Sequence, residues 1–300
     1  MKKISFSLFI FSFLLISCHN TFIDVDNNQN DTKTKTITFT FGGFTMSGLD
    51  GINSEESHES RASNVQANYT DHLILGIYDA NGNIVDSLIY QNKDDNQTSY
   101  GTFTHNLVYG KYTVLAIGWN GEQQCLVHSL DSISFSQNWV PHTFLCREEI
   151  VVNDNQSSSH PLTLKRCVSK FSVVFKDKNA PCDLNHFTIT FSGAGNTINS
   201  KTLHCTHTQD FSRTLLVETE PSKITSISTY CVLPKDSAGI NINVAAFDSN
   251  GNTVSQKFFE NVPMKINYVT KYSGNFYTTY SGTEEILFEI DFDGEINVDF

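Results

Sequence analysis

Apolar and polar residues alternate with a period of two along most of the chain beyond Lys35. In Thr36-Ile37-Thr38-Phe39-Thr40-Phe41 the isoleucine and both phenylalanines share one face and the threonines the other, which is the pattern of a half-buried strand. Short β-branched or aromatic runs bounded by Gly or Asn follow at residues 73–78, 102–107 and 112–119. A longer run, 162–175, reads as strand throughout, and 186–191 and 240–247 continue the theme. Near the end Phe288, Ile290 and Phe292 alternate with acids up to Asp293-Gly294, after which Ile296, Val298 and Phe300 alternate back. Asp-Gly there predicts a two-residue hairpin turn. A sustained helical period is scarce, and residues 261–272 form a segment open to a short helix or a loop. The predicted class is all-β.

An internal echo predicts the architecture. Tyr78-Asp79-Ala80-Asn81-Gly82-Asn83-Ile84-Val85 returns as Phe247-Asp248-Ser249-Asn250-Gly251-Asn252-Thr253-Val254, each copy between two apolar runs. Asn-Gly at these positions predicts a type I′ hairpin turn, with positive φ at both central residues. One copy in each half predicts two related, consecutive antiparallel β-sandwiches. The polar stretch 153–161 (NDNQSSSHP) reads as the linker between them. The domains are then 35–152 and 162–300, each near the size of a seven-stranded sandwich of the immunoglobulin kind.

The first residues are of another kind. Lys2 and Lys3 precede an apolar run from Ile4 to Ile16, too short to span a bilayer as a helix and right for a signal-peptide core. The run ends Leu15-Ile16-Ser17-Cys18, which resembles the bacterial lipobox, where a small residue precedes the cysteine that is acylated and becomes the new N-terminus. That resemblance implies a signal peptide over 1–17, lipidation at Cys18 with palmitate-type chains, and a polar tether over 18–34. Two or more acyl chains hold a protein stably on a membrane. Asp24 and Asp26 lie somewhat later than the acidic export signal of Bacteroidetes surface lipoproteins, which they partly resemble. Cleavage removes Lys2 and Lys3 and takes the formal charge from −12 to −14.

That acidity argues against nucleic acid as a partner, since phosphate neutralisation needs clustered Lys and Arg. Aromatic content of 12% argues against a disordered chain. The six cysteines beyond Cys18 (Cys125, Cys146, Cys167, Cys182, Cys205 and Cys231) show no C-x-x-C spacing. Both structural thiols and disulfides remain open for them, with no pairing favoured. Asp79-x-Asn81-x-Asn83 and its echo imitate the opening of a calcium loop but lack its remaining ligands, so they read as turns and no metal site is predicted. No nucleophile elbow, zincin or P-loop motif is present, and the acidic run 284–295 reads as the solvated face of a hairpin. Neither a catalytic residue nor a cofactor is expected, and the chain reads as no enzyme.

Three phrases carry a family resemblance. They are Tyr109-Gly110-Lys111-Tyr112-Thr113-Val114-Leu115-Ala116, then Leu164-Lys165-Arg166-Cys167-Val168-Ser169-Lys170-Phe171, then Asn261-Val262-Pro263-Met264-Lys265-Ile266-Asn267 with Thr270 and Gly274-Asn275-Phe276. With the lipobox and two β domains, the chain resembles the fimbrillin-associated anchor and minor-subunit lipoproteins of Bacteroidetes type V fimbriae. Ser169, Met264 and Tyr272 depart from that pattern, which has Ala, Leu and Leu there. The resemblance implies transthyretin-like sandwiches, an outer-membrane, surface-exposed location for cell adhesion, fimbrial subunits of the same system as partners, and assembly by β-strand complementation. It also draws attention to Arg61, a possible protease-processing site whose cleavage would free the 36–41 strand from the body. The favoured reading is an uncut anchor that keeps its lipid and receives a subunit at a sheet edge of its N-terminal domain, with the C-terminal strand ending at Phe300 more simply the last of its own sheet. A surface glycan-binding lipoprotein using Trp119, Trp139 and tyrosines is the alternative.

Overall fold

In a computed structural model of the chain, residues 33–45, 70–95, 99–178, 180–218, 220–277 and 295–299 are described. Seventeen strands form there: β1 (Thr34–Thr45), β2 (His72–Tyr78), β3 (Ile89–Asn92), β4 (Thr102–Val108), β5 (Gly110–Trp119), β6 (Cys125–Ser129), β7 (Ser132–Phe135), β8 (Thr143–Val152) and β9 (Ser159–Arg166) in the first half. The second half holds β10 (Ser169–Phe175), β11 (Leu184–Ser192), β12 (Phe211–Leu216), β13 (Ser226–Cys231), β14 (Ser237–Asp248), β15 (Thr253–Lys265), β16 (Val269–Gly274) and β17 (Glu295–Asp299). A single 3-10 turn, Pro221–Lys223, is the helical content among the described residues. The protein is all-β.

Seven of the nine strands of the first half form one sheet, ordered β3-β2-β5-β8-β9-β1-β4, and β6 and β7 form a separate hairpin. The core of the sheet takes Ile37, Phe39 and Phe41 from β1, Leu73 and Leu75 from β2, Val114 from β5, Phe144 from β8 and Leu162 and Leu164 from β9. Side chains from across one sheet meet only if that sheet rolls over its own inner face. Strand alternation thus supplies the core, while Thr36, Thr38 and Thr40 of β1 face outward.

The second half packs two four-stranded sheets, β13-β10-β16-β17 and β12-β11-β14-β15, around a second core. Phe171 lies at its centre, fully buried, with ring centroids 5.7 Å from Phe259, 5.8 Å from Tyr272 and 6.3 Å from Phe191. Not every ladder is antiparallel as expected: β1 with β9, β10 with β16 and β16 with β17 run parallel. Parallel neighbours need a long crossover between them. No local turn signal announces such pairs.

The boundary between halves differs from the expected one. Residues 153–158 form a tight turn in which Asn153 Oδ1 accepts the N–H groups of Asn155 and Gln156, and β9 then joins the first sheet. Asn- and Ser-rich stretches serve turns as readily as linkers. The run 162–175 therefore breaks at Cys167-Val168, between β9 and β10. Residues 261–272 hold the end of β15, a turn and the start of β16, with no helix. The predicted pairing of 288–292 with 296–300 lies outside the described residues, while β17 borders β16 at the margin of its sheet.

A third core binds the halves. Ile74, Leu115, Ile117 and Trp119 on the outer face of the rolled sheet pack with the β6–β7 hairpin and with Cys167, Val168, Ile198 and Val232. This is why β2 and β5 carry unbroken apolar runs: they are buried on both faces. Beside it Arg166, nearly buried, donates from Nε to His142 Nε2 at 2.8 Å and from Nη1 to Asn267 Oδ1 at 2.7 Å. The His142 ring stacks on Tyr230 at 5.3 Å. Burial first, then the charges of Arg166 and Lys170, push the His142 imidazole down to about 3.

A pH dependence follows from His142. Its ring is neutral in the folded state across most of the acid range, while the unfolded chain protonates it near pH 6.5. Unfolded protein then binds the extra proton, and stability falls as pH drops from about 6.5 towards about 3, by up to about 1.4 kcal/mol per pH unit. Urea midpoints measured across this window should show that slope, and His142→Asn should flatten it. An equal slope in the variant would assign it to other groups.

Candidate functional site

The two sequence-predicted site residues, Cys18 and Arg61, lie outside the described residues. What the structure places is the strand between them, β1. It is the first strand in sequence yet sits inside its sheet, antiparallel to β4 from Thr34↔Val108 to Thr40↔Thr102 and parallel to β9 from Thr38↔Ser159 to Thr45↔Lys165. Ile37, Phe39 and Phe41 are fully buried, with the Phe41 ring 5.2 Å from Phe103 and Phe39 edge-on to His160 at 5.8 Å.

The start of β1 is also clasped. Lys35 Nζ donates to the carbonyls of Asn153 (3.2 Å), Asp154 (3.1 Å) and Gln156 in the turn before β9. Lys33 reaches the Asp154 carboxylate at 3.5 Å, and the Tyr109 hydroxyl donates to it at 2.6 Å. The hydrogen bond from Tyr109, then the charge of Lys33, holds the Asp154 carboxyl below the usual carboxylate range. Lys35 reads in sequence as one more polar position of an alternating strand, so nothing local marks it as a clasp.

The margins of the rolled sheet, β3 and β4, are tied to one another. Gln91 on β3, itself buried, donates to the Thr102 carbonyl and accepts the Gly101 N–H, both at 2.8 Å. His105 on β4 meets Asp86 at 2.9 Å. The sheet edge expected to receive a neighbour is therefore partly closed by side chains. In the second half the margins β12 and β13 flank a cavity of about 230 Å³ lined by Phe187, Leu215, Ile224 and Ile227.

The twin turns are built alike. Asp79 Oδ1 accepts the N–H groups of Asn81 (2.8 Å) and Asn83 (2.9 Å), and Asp248 Oδ1 accepts those of Asn250 and Asn252, each at 2.8 Å. Bonds from Asn83 and Asn252 lead in lowering the two carboxyl pKa values. Only the glycines take positive φ, +82° at Gly82 and +81° at Gly251, so each is a type I turn followed by a left-handed Gly, and the expected type I′ geometry is corrected. The aspartate serves its own backbone amides, a structural use of the carboxylate.

All six cysteines beyond Cys18 are free thiols. Burial pushes the Cys146 and Cys167 thiols up to about 12 and raises Cys125 and Cys231 further still. Such thiols are poor nucleophiles and poor metal ligands. Among the described residues no group of three metal-ligating side chains forms. The two tryptophans of the glycan alternative are otherwise occupied, while among its tyrosines Tyr90 is 49% exposed. Trp119 is buried and donates its indole N–H to the Gln123 carbonyl, while Trp139 lies beneath the Arg213 guanidinium at 3.6 Å.

These features define a class: an all-β scaffold of a rolled sheet and a sandwich sharing a core. The chain belongs to the family of unknown function DUF6562, whose model matches residues 29–300. No curated protein matches it. Among solved structures it is similar to a candidate adhesin of Bacteroides ovatus (11% identity, 77% of this chain and 78% of that one, TM-score 0.48). It is also similar to a fimbrial assembly protein of Parabacteroides distasonis (12% identity, 83% and 93%, TM-score 0.40). A third likeness is to the fimbrial anchor protein Mfa2 of Porphyromonas gingivalis (14% identity, 75% and 82%, TM-score 0.39).

Proposed function

We propose that this protein is a lipid-anchored, surface-exposed outer-membrane subunit of a fimbria, an anchor or minor subunit that joins fimbrial partners through β-strand complementation. The sequence support is the lipobox ending at Cys18 and the three family-like phrases. The observation that carries the anchor reading is the position of β1. The polar tether after Cys18 runs directly into a strand paired on both sides and buried at its centre. A pull along the tether loads both ladders in shear, with many hydrogen bonds sharing the force at once. An edge strand held by one ladder would peel more easily. The Lys35 clasp adds resistance where the load enters.

Cys18→Ala is expected to release the protein from the outer-membrane fraction and to shed filaments into the medium, read by fractionation and electron microscopy. Filaments still fixed to cells carrying that variant would overturn the reading. A mature protein beginning at Ala62 would move the assignment from anchor to processed stalk subunit.

A further inference from the structure

Three successive rows across the outer face of the β12-β11-β14-β15 sheet are uncharged, in a chain whose formal charge is −12, and the charged positions of that face, Glu260 and Lys265, lie beyond them towards the end of β15. Residues directly opposite in a ladder share a face, so the register fixes its rows. The first row runs Leu216, His186, Phe247. The second runs Thr214, Thr188, Ala245, Gln256, and the third Ser212, Thr190, Asn243, Phe258. No Asp, Glu, Lys or Arg stands in these rows. Hydroxyls and amides fill the centre, linked by Thr190 to Ser212 at 2.8 Å and Gln256 to Asn243 at 2.9 Å.

Flat rings stand at two places. The His186 and Phe247 rings stack at 4.8 Å and 13°, and Phe258 is 59% exposed. Strand spacing of 4.8 Å and a rise of 3.4 Å per residue put Phe247 and Phe258 about 14 Å apart. That separation matches a short stretch of an extended sugar chain. Leu216, 68% exposed, and Phe258 occupy opposite corners, about 20 Å apart on the same spacings. The large apolar groups therefore do not merge into the contiguous patch that a protein interface centres on.

We propose that this face binds a neutral polysaccharide, an inference independent of the anchoring role. Pyranose rings offer apolar C–H faces to aromatic rings and hydroxyl rims to amides and hydroxyls, and the sheet presents both on one plane. A neutral ligand loses nothing to the absence of ionic partners in these rows, whereas an anionic one would find no counter-charge there and would meet Glu260 beside Phe258. The site is distinct from the tryptophans considered from sequence.

The test is affinity electrophoresis and titration calorimetry of the purified full-length chain with mannan, dextran, arabinoxylan and mixed-linkage β-glucan, with alginate as the anionic control. Retardation by at least one neutral polymer and none by alginate is expected. Phe258→Ala and His186→Ala should each weaken binding about tenfold or more at an unchanged unfolding midpoint. Thr188→Lys, which places a charge mid-face, should abolish it. Failure of all four neutral polymers would overturn the proposal, as would retardation that survives the three substitutions. Concentration-dependent self-association abolished by Phe258→Asp would make the face a protein interface and overturn it too. None of these results bears on Cys18 or on filament attachment, so the two readings fail separately.

Discussion

A chain beginning at Ala62 is expected to lose its cooperative unfolding transition and to regain it when a peptide spanning residues 33–45 is added. Without β1, the β4 and β9 rims that it pairs lose their ladders together. The slot also loses Ile37, Phe39 and Phe41, all fully buried. Burying each such side chain contributes about 1.5–3 kcal/mol, so the three together approach the whole stability of a typical domain. Thermal unfolding of the truncated chain, alone and with peptide, measures the effect. The same peptide with Phe39→Asp should fail to rescue, because register fixes which side chain enters the core. A truncated chain that melts as the intact one does would show that β1 is dispensable and remove the mechanical basis of the anchor proposal.

Phe171→Ala is expected to cost about 3–5 kcal/mol, the usual range for emptying a buried phenylalanine site. Three aromatic neighbours face the cavity it leaves, and aromatic pairs add about 0.5–1.5 kcal/mol each beyond area burial. The informative readout is whether the first half responds. Cys167, Val168, Ile198 and Val232 share a core with Ile74, Leu115 and Trp119, and the described residues belong to one unit, Lys33–Phe300. One transition, moved as a whole in urea or calorimetry, is therefore expected. Two transitions, with the first half unmoved, would mean that the shared core does not couple them.

Individual strands were legible in the sequence wherever one face is buried and the other wet. Residues 36–41, 73–78, 102–107, 112–119, 186–191 and 240–247 all fall within strands of the structure. What escaped was long-range. That β9 belongs to the first sheet depends on its parallel pairing with β1, more than a hundred residues away, and the turn at 153–158 has the composition of a linker. The type I′ expectation failed because Asp79 and Asp248 bind their own loop amides and leave positive φ to the glycine alone. Lys35 and Gln91 matter through distant carbonyls, and neither carries a signal of its own. The uncharged rows were visible only as threonines opposite a core, since their identity as a surface needs three registers at once.

The Gln91 tie has a bearing on life in a crowded plane. Molecules confined to one surface meet their own copies far more often than molecules in free solution, and an unprotected β margin would let like join like without limit. Here the margins of the rolled sheet are joined through the Gln91 amide at the start of β4, which leaves a passing twin less backbone to grasp at that point. On a membrane, where the anchor proposal would place the chain, that tie would favour dense display over mutual gelation.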